Sequence, residues 1–314
     1  MELRRVCVIG GSGFVGCHVV QSLSARRYLV RVPTRNRERA KSLILLPTVD
    51  VIDANVHHPA TLAAQLRGMD AVINLVGVLH EGRGERSFAE AHGELTRKII
   101  AACGETGVRR YVHMSALGAD VNGPSRYQRT KGAAEALVRA SNLDWTIFRP
   151  SVIFGRGDRF VNLFARVQEM LPVIFLGRPQ ARFQPVFVED VAAALTASLD
   201  ELAAHGKTFD LCGPCIYTLR ELVALIGELT GHRRPIIGLG DTLSYLQALT
   251  LEWLPGQLMT RDNYHSMQVD NVSAEPFPFG IRPAALEAEA PTWLAQATPR
   301  ARYRAYRDHA GRAS

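Results

Sequence analysis

The sequence has no apolar run long enough to cross a bilayer, and it has no signal peptide of the usual three-part form. A membrane-spanning helix needs about 20 consecutive apolar residues, and a secretory signal joins a basic start to an apolar region and a cleavage site. The first five residues, MELRR, lead instead directly into a short apolar run that breaks at glycines. We therefore expect a cytoplasmic protein that reaches the inner face of the membrane only through peripheral contact.

Cysteine is scarce, and its pattern suggests neither a disulfide framework nor a metal site. Five cysteines, an odd number in a chain without an export signal, favour reduced thiols. Cys212 and Cys215 are spaced like a redox pair, but a reactive thiolate needs a helix N-terminus. Here Cys212 follows a predicted strand, 207–211, and the next helix is predicted to start at a capping box of Thr218 and Glu221. A lone cysteine pair also lacks the second half of a zinc site, so no metal is predicted.

The net charge of +7 does not come from a nucleic-acid-binding stripe. More than half of it lies in a basic tail, residues 299–314, where five arginines face one aspartate. A solvated terminus fits this composition, and so does contact with an anionic membrane surface or an acidic partner. No segment resembles a nucleic-acid-binding module, so no nucleic-acid partner is expected.

Near the N-terminus, the apolar run 6–9 breaks into glycines and resumes as an amphipathic segment. This order predicts a strand, a tight turn and a helix over about 13–26. Glycines at positions 10, 13 and 16 suit a chain reversal, close approach to a phosphate, and packing of the helix on the strand. The helix dipole and the free N–H groups of the first turn would face a dinucleotide pyrophosphate. The predicted cofactor-binding residues here are Gly10, Gly13, Phe14, Val15 and Gly16.

The second predicted strand, 28–35, lacks an acidic residue at its end. Enzymes that prefer NAD usually place an aspartate or glutamate about 20 residues beyond the glycines, to bind the ribose 2′-hydroxyl. This chain has Thr34 and Arg35 there, followed two residues later by Arg37. A guanidinium binds a 2′-phosphate through two parallel charge-assisted bonds. We therefore predict NADP(H) rather than NAD(H), with Arg35 as the main ligand of the phosphate and Arg37 as a second candidate or a solvated residue.

Two further apolar runs, 49–54 and 71–77, read as the third and fourth strands, each buried on both faces. Asp53 would lie near the adenine, and Val76 and Gly77 would pass beneath the cofactor. Strands that alternate with helices, here predicted at about 87–106 and 125–141, indicate an α/β fold with a doubly wound parallel sheet of the Rossmann type.

A serine, a tyrosine and a lysine follow the fifth predicted strand, 110–115. Tyr127 and Lys131 lie four residues apart and so share one face of the next helix. A phenol with a pKa near 10 needs a nearby cation to act as an acid or base at neutral pH. We predict that Lys131 supplies this cation and holds the nicotinamide ribose, that Tyr127 is the acid or base, and that Ser115 binds the substrate oxygen.

Together these motifs resemble the short-chain dehydrogenase/reductase superfamily, in its extended or atypical branch that includes NAD-dependent epimerases and dehydratases. The resemblance covers about the first two thirds of the chain, and it rests on the glycine turn, the serine, the tyrosine-lysine pair, and the segments RPSVIFG at 149–155 and PVFVEDVA at 185–192. It places Pro150 among the cofactor-binding residues. One departure is His92, which stands where many extended members have an asparagine.

Within that branch the chain looks most like bacterial relatives of the NADPH-binding accessory subunit of mitochondrial complex I. This resemblance rests on the segments INLVGVL at 73–79, SALGA at 115–119 and FGRGDRF at 154–160. This resemblance implies tight NADP(H) binding without turnover, and some related sequences are tied to quinone biosynthesis. Respiratory or quinone-pathway proteins are therefore candidate partners.

The predicted domains are an NADP(H)-binding domain at 1–150 with returning segments near 185–212, a smaller substrate lobe at 151–298, and the basic tail. In the lobe, residues 235–258 carry only Asp241 and Glu252 as charges. This segment fits a pocket for a small hydrophobic substrate such as a quinone, a peripheral membrane contact, a docking surface for a respiratory complex, or an ordinary core helix.

The sequence thus leaves two functions open. One is an NADP(H)-dependent oxidoreductase for a hydrophobic carbonyl or quinone-type substrate, and the other is a structural or assembly factor that holds NADPH without turnover.

Overall fold

The computed structural model describes residues 4–253 and 259–294, which form two compact units. Within the described residues, unit 1 contains 4–151, 188–212 and 273–282, and unit 2 contains 152–187, 213–253, 259–272 and 283–294. Residues 254–258, at the end of the apolar segment, and the basic tail at 299–314 lie outside the described residues.

The strands of the described residues, in chain order, are β1 Arg5–Ile9, β2 Leu29–Thr34, β3 Val49–Asp53, β4 Ala71–Asn74, β5 Arg110–Met114, β6 Asp144–Pro150, β7 Ile153–Phe154, β8 Ile174–Leu176, β9 Arg182–Phe183, β10 Val186–Phe187, β11 Lys207–Leu211, β12 Tyr217–Thr218 and β13 Ile236–Gly238. The α-helices are α1 Phe14–Ala25, α2 Lys41–Ile44, α3 Pro59–Leu66, α4 Leu95–Thr106, α5 Arg126–Arg139, α6 Val161–Met170, α7 Val188–Ala197, α8 Leu219–Thr230, α9 Asp241–Leu251, α10 Arg261–Ser266, α11 Leu286–Glu289 and α12 Pro291–Leu294. Short 3₁₀ turns lie at Arg37–Ala40, Gly84–Arg86, Leu202–Ala204 and Pro278–Gly280, and a π-helical turn at Ala89–Glu94 precedes α4.

Unit 1 is built on a seven-stranded parallel sheet with the order β11-β6-β5-β4-β1-β2-β3. The predicted doubly wound parallel sheet is therefore confirmed. The strand order reverses at β1, because β2 follows on one side of it while β4 pairs on the other. In open sheets of this kind, ligands bind outside the carboxyl ends of the strands at such a reversal point.

The core of unit 1 lies between the sheet and helices α3 and α4. Ile9, Leu66, Ile99 and Tyr111 are fully buried in this cluster. Burying each large apolar side chain contributes about 1.5–3 kcal/mol. Elsewhere in unit 1, α1 packs against α7.

Unit 2 has its own core, formed mainly by α6, α8 and short paired strands. Helix α8 begins at the predicted capping box of Thr218 and Glu221. Helix α9, from the apolar segment, buries only Ser244 and Ala248. Leu243 is 56% exposed and Leu246 48% exposed, so α9 places few large apolar side chains in the core of unit 2.

Several element ends differ from the prediction by one or two residues, and three differences go further. Strand β4 ends at Asn74 instead of residue 77, because the Val76 N–H donates to Asn74 Oδ1 at 3.1 Å and leaves the ladder. The helix predicted from residue 87 begins as the π-helical turn Ala89–Glu94. Residues 273–282, predicted in the lobe, belong to unit 1. Ser273 donates to Asp210 there, and Phe279 packs on Phe148 and Phe209.

None of the helices in the described parts of the chain is long and apolar enough to span a membrane. The same parts contain no cluster of three or more histidine, cysteine or acidic side chains with metal-binding geometry. All five cysteines are free thiols.

Candidate functional site

The glycine turn brings the end of β1 against the segment that follows β4. Gly10 has a φ of +84°, and a Cβ there would approach the backbone of Leu75 and Val76 at 3.2 Å. A Cβ at Gly16 would overlap the Gly10 carbonyl oxygen and lie 2.6 Å from the Gly11 Cα. Only glycine fits these two positions without displacing backbone, because the first turn of α1 packs directly on the reversal.

The start of α1 presents backbone donors to the carboxyl edge of the sheet. Gly13 is the N-cap, with extended backbone, and no side chain caps the helix. The first turn, which contains Phe14 and Val15, carries no acidic residue. Helix-terminal N–H groups without a cap, next to glycines that leave room for a phosphate, form an anion site. These residues therefore fit the pyrophosphate of a dinucleotide.

The end of β2 is tied to this turn. Thr34 is buried, and its Oγ1 lies 3.1 Å from Ser12 Oγ. Asp53 pairs in register with Thr34 at the end of β3 and is exposed. Arg35 and Arg37 follow β2 with exposed side chains. The structure thus brings Thr34, Arg35 and Asp53 together at the edge where the adenosine half of a dinucleotide would lie.

Arg35 is engaged by a residue that the sequence analysis missed. Its guanidinium forms an ion pair with Glu85, and the other Glu85 oxygen accepts from Asn55 Nδ2 at 3.0 Å. The hydrogen bond from Asn55 holds the pKa of Glu85 below its usual value, and the nearby His57 and Arg35 lower it further. Arg35 and Glu85 are 50 positions apart, so no local sequence pattern could reveal this pairing.

Helix α5 carries Tyr127 and Lys131 in a fixed position, because Ser125 and Gln128 form a capping box at its start. Lys131 is only 2% exposed, and its Nζ donates to the Met114 carbonyl at 3.1 Å, directly before Ser115. Burial lowers the pKa of Lys131 to about 8, and the Glu135 carboxylate opposes this shift. Lys131 therefore remains a cation at neutral pH.

Ser115 follows the end of β5 and is buried. Its Oγ has no hydrogen-bond partner among the described residues. A buried hydroxyl without a partner is costly unless a ligand or water completes its bonding. Ser115 is therefore placed to bind a ligand beside Lys131.

Gly77 and Lys131 are also neighbours, because a Cβ at Gly77 would lie 3.1 Å from Lys131 Nζ. Val76 and Gly77 leave the carboxyl end of β4, next to the glycine turn. Pro150 ends β6, and its carbonyl accepts from the Leu117 N–H at 2.9 Å. Among the described residues, no hydrogen bond or ion pair joins Arg37 to another predicted site residue.

His92 joins the segment after β4 to α5, a role that the sequence analysis did not identify. The Val78 N–H donates to Nε2 at 3.2 Å, so the proton of the neutral ring lies on Nδ1 and is donated to Thr130 Oγ1 at 2.9 Å. Thr130 in turn donates to the Tyr127 carbonyl. Burial and the charge of Lys131 lower the pKa of His92 to about 2, so the ring is neutral.

Tyr127 is half-buried. Its ring contacts that of His92, in the π-helical turn, and that of Phe88, the residue before the turn. His92 contacts it edge-on, with ring centroids 5.6 Å apart, and Phe88 does so at 5.9 Å. Deeper in the unit, His113 Nδ1 bonds the Tyr111 hydroxyl at 3.1 Å, and burial lowers the pKa of His113 to about 3. Lys131 is therefore the cation of a site whose two nearby imidazoles are neutral.

The comparison with family models gives one match. A family model described as NAD(P)H-binding matches residues 10–166, which include the glycine turn, Ser115, Tyr127 and Lys131.

Two relatives show how far the likeness extends. The mitochondrial NADH dehydrogenase (ubiquinone) 1 alpha subcomplex subunit 9 of Arabidopsis thaliana is 35% identical over 71% of this chain, and the match spans 57% of that protein. The subunit of the same name from Rattus norvegicus is 30% identical over 89% of this chain and 77% of its own length. The chain thus spans less than two thirds of the Arabidopsis relative.

Among solved structures, an NADPH-dependent quinone oxidoreductase of Escherichia coli in complex with NADPH superposes with a TM-score of 0.72. The match covers 92% of this chain and 99% of that one, at 19% identity. At this identity the likeness shows a shared fold.

Proposed function

Because the chain belongs to the NAD(P)H-binding family, we propose that it is an NADP(H)-dependent oxidoreductase of the short-chain dehydrogenase/reductase type for a hydrophobic carbonyl or quinone-type substrate. The observation that carries the proposal is the buried Lys131 cation, which lies one helical turn after Tyr127. Its Nζ donates to the Met114 carbonyl at the end of β5. The unpartnered Ser115 hydroxyl supports it. The quinone class comes from the names of the rat relative and the Escherichia coli structure.

The choice of NADP(H) over NAD(H) rests on the residues at the end of β2. Arg35 follows the strand with an exposed guanidinium, and no carboxylate stands at positions 34–37 to bind a ribose 2′-hydroxyl. Arg37 is a second ligand of the 2′-phosphate in this proposal. Gly10, Gly13, Phe14, Val15 and Gly16 hold the pyrophosphate, while Asp53, Val76, Gly77 and Pro150 line the nucleoside ends.

In the proposed reaction, bound NADP(H) supplies or accepts the hydride. The Lys131 charge stabilises the phenolate form of Tyr127, so this residue exchanges a proton with the substrate oxygen at neutral pH. Ser115 donates a hydrogen bond to the same oxygen. His92 is a positioning residue, because it bonds Val78 on one side and Thr130 on the other.

The experiment is the comparison of Tyr127→Phe with the wild-type protein. NADPH-loaded protein is mixed with a short-chain ubiquinone analogue or with an aromatic aldehyde, and the loss of NADPH absorbance is followed. We expect Tyr127→Phe to slow oxidation about 10²- to 10⁴-fold, the usual contribution of a general acid, while NADPH affinity changes less than about twofold. Tyr28→Phe removes a hydroxyl that bonds Asp200 just before the start of β2, at the end of the strand away from the site, and should leave both quantities unchanged.

A second function is favoured by the two relatives, whose names place them in mitochondrial NADH dehydrogenase. In this alternative the same residues hold NADPH without turnover, and the protein assembles peripherally with respiratory or quinone-pathway proteins at the inner face of the membrane. The exposed apolar residues of α9 support such a contact. If wild-type protein binds NADPH, never oxidises it, and co-purifies with membrane complexes, the oxidoreductase proposal fails and this alternative stands.

A further inference from the structure

The segment that follows β4 crosses the carboxyl edge of the sheet and is fastened at two separate places. We call residues 78–87 the strap. Its first carboxylate, Glu81, pairs with Arg126 at the start of α5 at 3.4 Å and accepts from the Phe88 N–H at 3.3 Å. Its second carboxylate, Glu85, pairs with Arg35 after β2. Since β4 and β2 flank β1 in the sheet, the strap runs along the edge where the proposed dinucleotide would bind.

The Glu85 carboxylate occupies a position that another anion bound by the Arg35 guanidinium would take. It accepts hydrogen bonds from the Arg35 guanidinium and from Asn55, a residue of the loop after β3. Both members of the ion pair are partly exposed, at 53% for Arg35 and 38% for Glu85, so a ligand from solvent can reach them. A 2′-phosphate is also a compact anion that binds a guanidinium through parallel bonds. The two anions therefore compete for one cation.

On the basis of the proposed NADP(H) site, we propose that Glu85 is a specificity-determining residue that occupies the Arg35 guanidinium until the 2′-phosphate of NADP(H) displaces it. NAD(H) has no 2′-phosphate and leaves the Arg35–Glu85 pair intact. Binding of NADP(H) breaks the pair and leaves the Asn55 hydrogen bond alone to hold this end of the strap. Glu85 thus reduces the preference for NADP(H) and couples the 2′-phosphate to the position of the strap.

The size of the effect follows from the exposure of the pair. An exposed ion pair stabilises only weakly, and the displaced carboxylate still repels the phosphate within a Debye length of about 8–10 Å. Removing the charge of Glu85 should therefore tighten binding of the 2′-phosphate about 3- to 10-fold.

The test uses the full chain and two adenosine fragments with two phosphates each: adenosine 2′,5′-bisphosphate carries one on the ribose 2′-oxygen, whereas ADP carries both at the 5′ end. Isothermal titration of wild type, Glu85→Gln and Glu81→Gln gives the affinity ratio of the two fragments. We expect Glu85→Gln to tighten the bisphosphate about 3- to 10-fold and to leave ADP unchanged. Glu81→Gln, which removes the same charge from the same strap, should leave the ratio unchanged. In an Arg35→Ala background the competition for the guanidinium is lost, so Glu85→Gln should tighten the bisphosphate less than it does in the wild type.

Hydrogen exchange provides a second readout. In the wild type, the bisphosphate should increase amide exchange in residues 79–87, whereas ADP should not. Glu85→Gln should show the faster exchange without ligand. If Glu85→Gln weakens the bisphosphate, changes both fragments equally, or changes neither, the role of Glu85 is overturned while NADP(H) binding stands. If neither the fragments nor NADPH binds the wild type, the proposed function itself fails.

Discussion

At the scale of single residues, the site is defined by which charges are paired and which are not. Lys131 is a buried cation that donates to a backbone carbonyl. Glu135, one turn further along α5, is fully buried between Arg149 and Arg139, with oxygens 2.6–2.8 Å from their nitrogens. The helix that carries Tyr127 is therefore anchored to β6 by a charge pair and to β5 by Lys131. Such anchoring is what a precisely placed phenol requires.

Arg35 is the residue on which the cofactor assignment depends. Arg35→Ala should weaken NADPH about 10- to 100-fold, since hydrogen bonds to a charged group contribute about 1.5–3 kcal/mol. NADH, which lacks the phosphate, should change little. Fluorescence titration with both nucleotides checks this. Arg109→Ala removes another exposed, ion-paired arginine, which precedes β5 at the opposite edge of the sheet, and controls for net charge. Equal losses for NADPH and NADH would contradict the assignment.

At the scale of elements, the site depends on how three segments begin. Helix α1 begins at an uncapped glycine turn, α5 begins at a capping box, and α4 is preceded by a π-helical turn. The first leaves N–H groups for an anion, and the second fixes the position of Tyr127. π-Helical turns are rare and occur frequently at functional sites. The turn at Ala89–Glu94 is what places His92 between Val78 and Thr130.

The packing of α1 on the glycine turn can be tested with two glycine variants. Gly16→Ala should destabilise the protein by about 1–3 kcal/mol, the usual cost of overpacking, and weaken NADPH, because its Cβ would overlap the Gly10 carbonyl. Gly104→Ala, inside α4, meets no atom within 4 Å and should stabilise the protein by about 0.5–1 kcal/mol. Urea unfolding measures both. A Gly16→Ala protein with wild-type stability and affinity would contradict this account of the turn.

At the scale of the whole molecule, the chain forms two units with separate cores. The proposed cofactor and catalytic residues all lie in unit 1, whereas the exposed apolar residues of α9 lie in unit 2. A substitution in the proposed cofactor site can therefore leave the candidate contact surface unaltered, and the reverse also holds. This division is consistent with both proposed functions, since each needs the same nucleotide site.

Stability should depend on pH through two buried imidazoles of unit 1. Burial lowers the pKa values of His92 and His113 to about 2 and about 3, whereas the unfolded chain has values near 6.5. Between about pH 3 and 6.5 the unfolded state therefore binds more protons. The free energy of unfolding should fall below pH 6.5 by about 1.4 kcal/mol per pH unit for each imidazole.

Urea unfolding at pH 7.5, 6 and 5 measures this slope in a range above the titration of ordinary carboxyl groups. His113→Gln should remove about half of the dependence. His58→Gln, an exposed histidine, should leave it unchanged. Stability that is flat from pH 7.5 to 5 would show that these rings are not held neutral.

Much of the fold could be predicted because its signals are local. Alternating apolar runs and amphipathic segments predicted the parallel sheet, and the capping boxes at Ser125 and Thr218 define the starts of α5 and α8. The errors also have local causes. Asn74 ends β4 early by binding the Val76 N–H with its side chain, and a period of hydrophobicity does not distinguish a π-helical from an α-helical turn.

The sequence by itself determined the parallel sheet and the glycine turn, and it predicted roles for Ser115, Tyr127 and Lys131, since these depend on short spacings along the chain. Only the tertiary structure decided the partners. Glu85 meets Arg35 from 50 positions away, His92 meets Thr130 from 38, and residues 273–282 return to unit 1. The physical reason is that a side chain carries its own charge and hydrogen-bonding groups, whereas its partner and its burial depend on where distant segments are brought by the sheet.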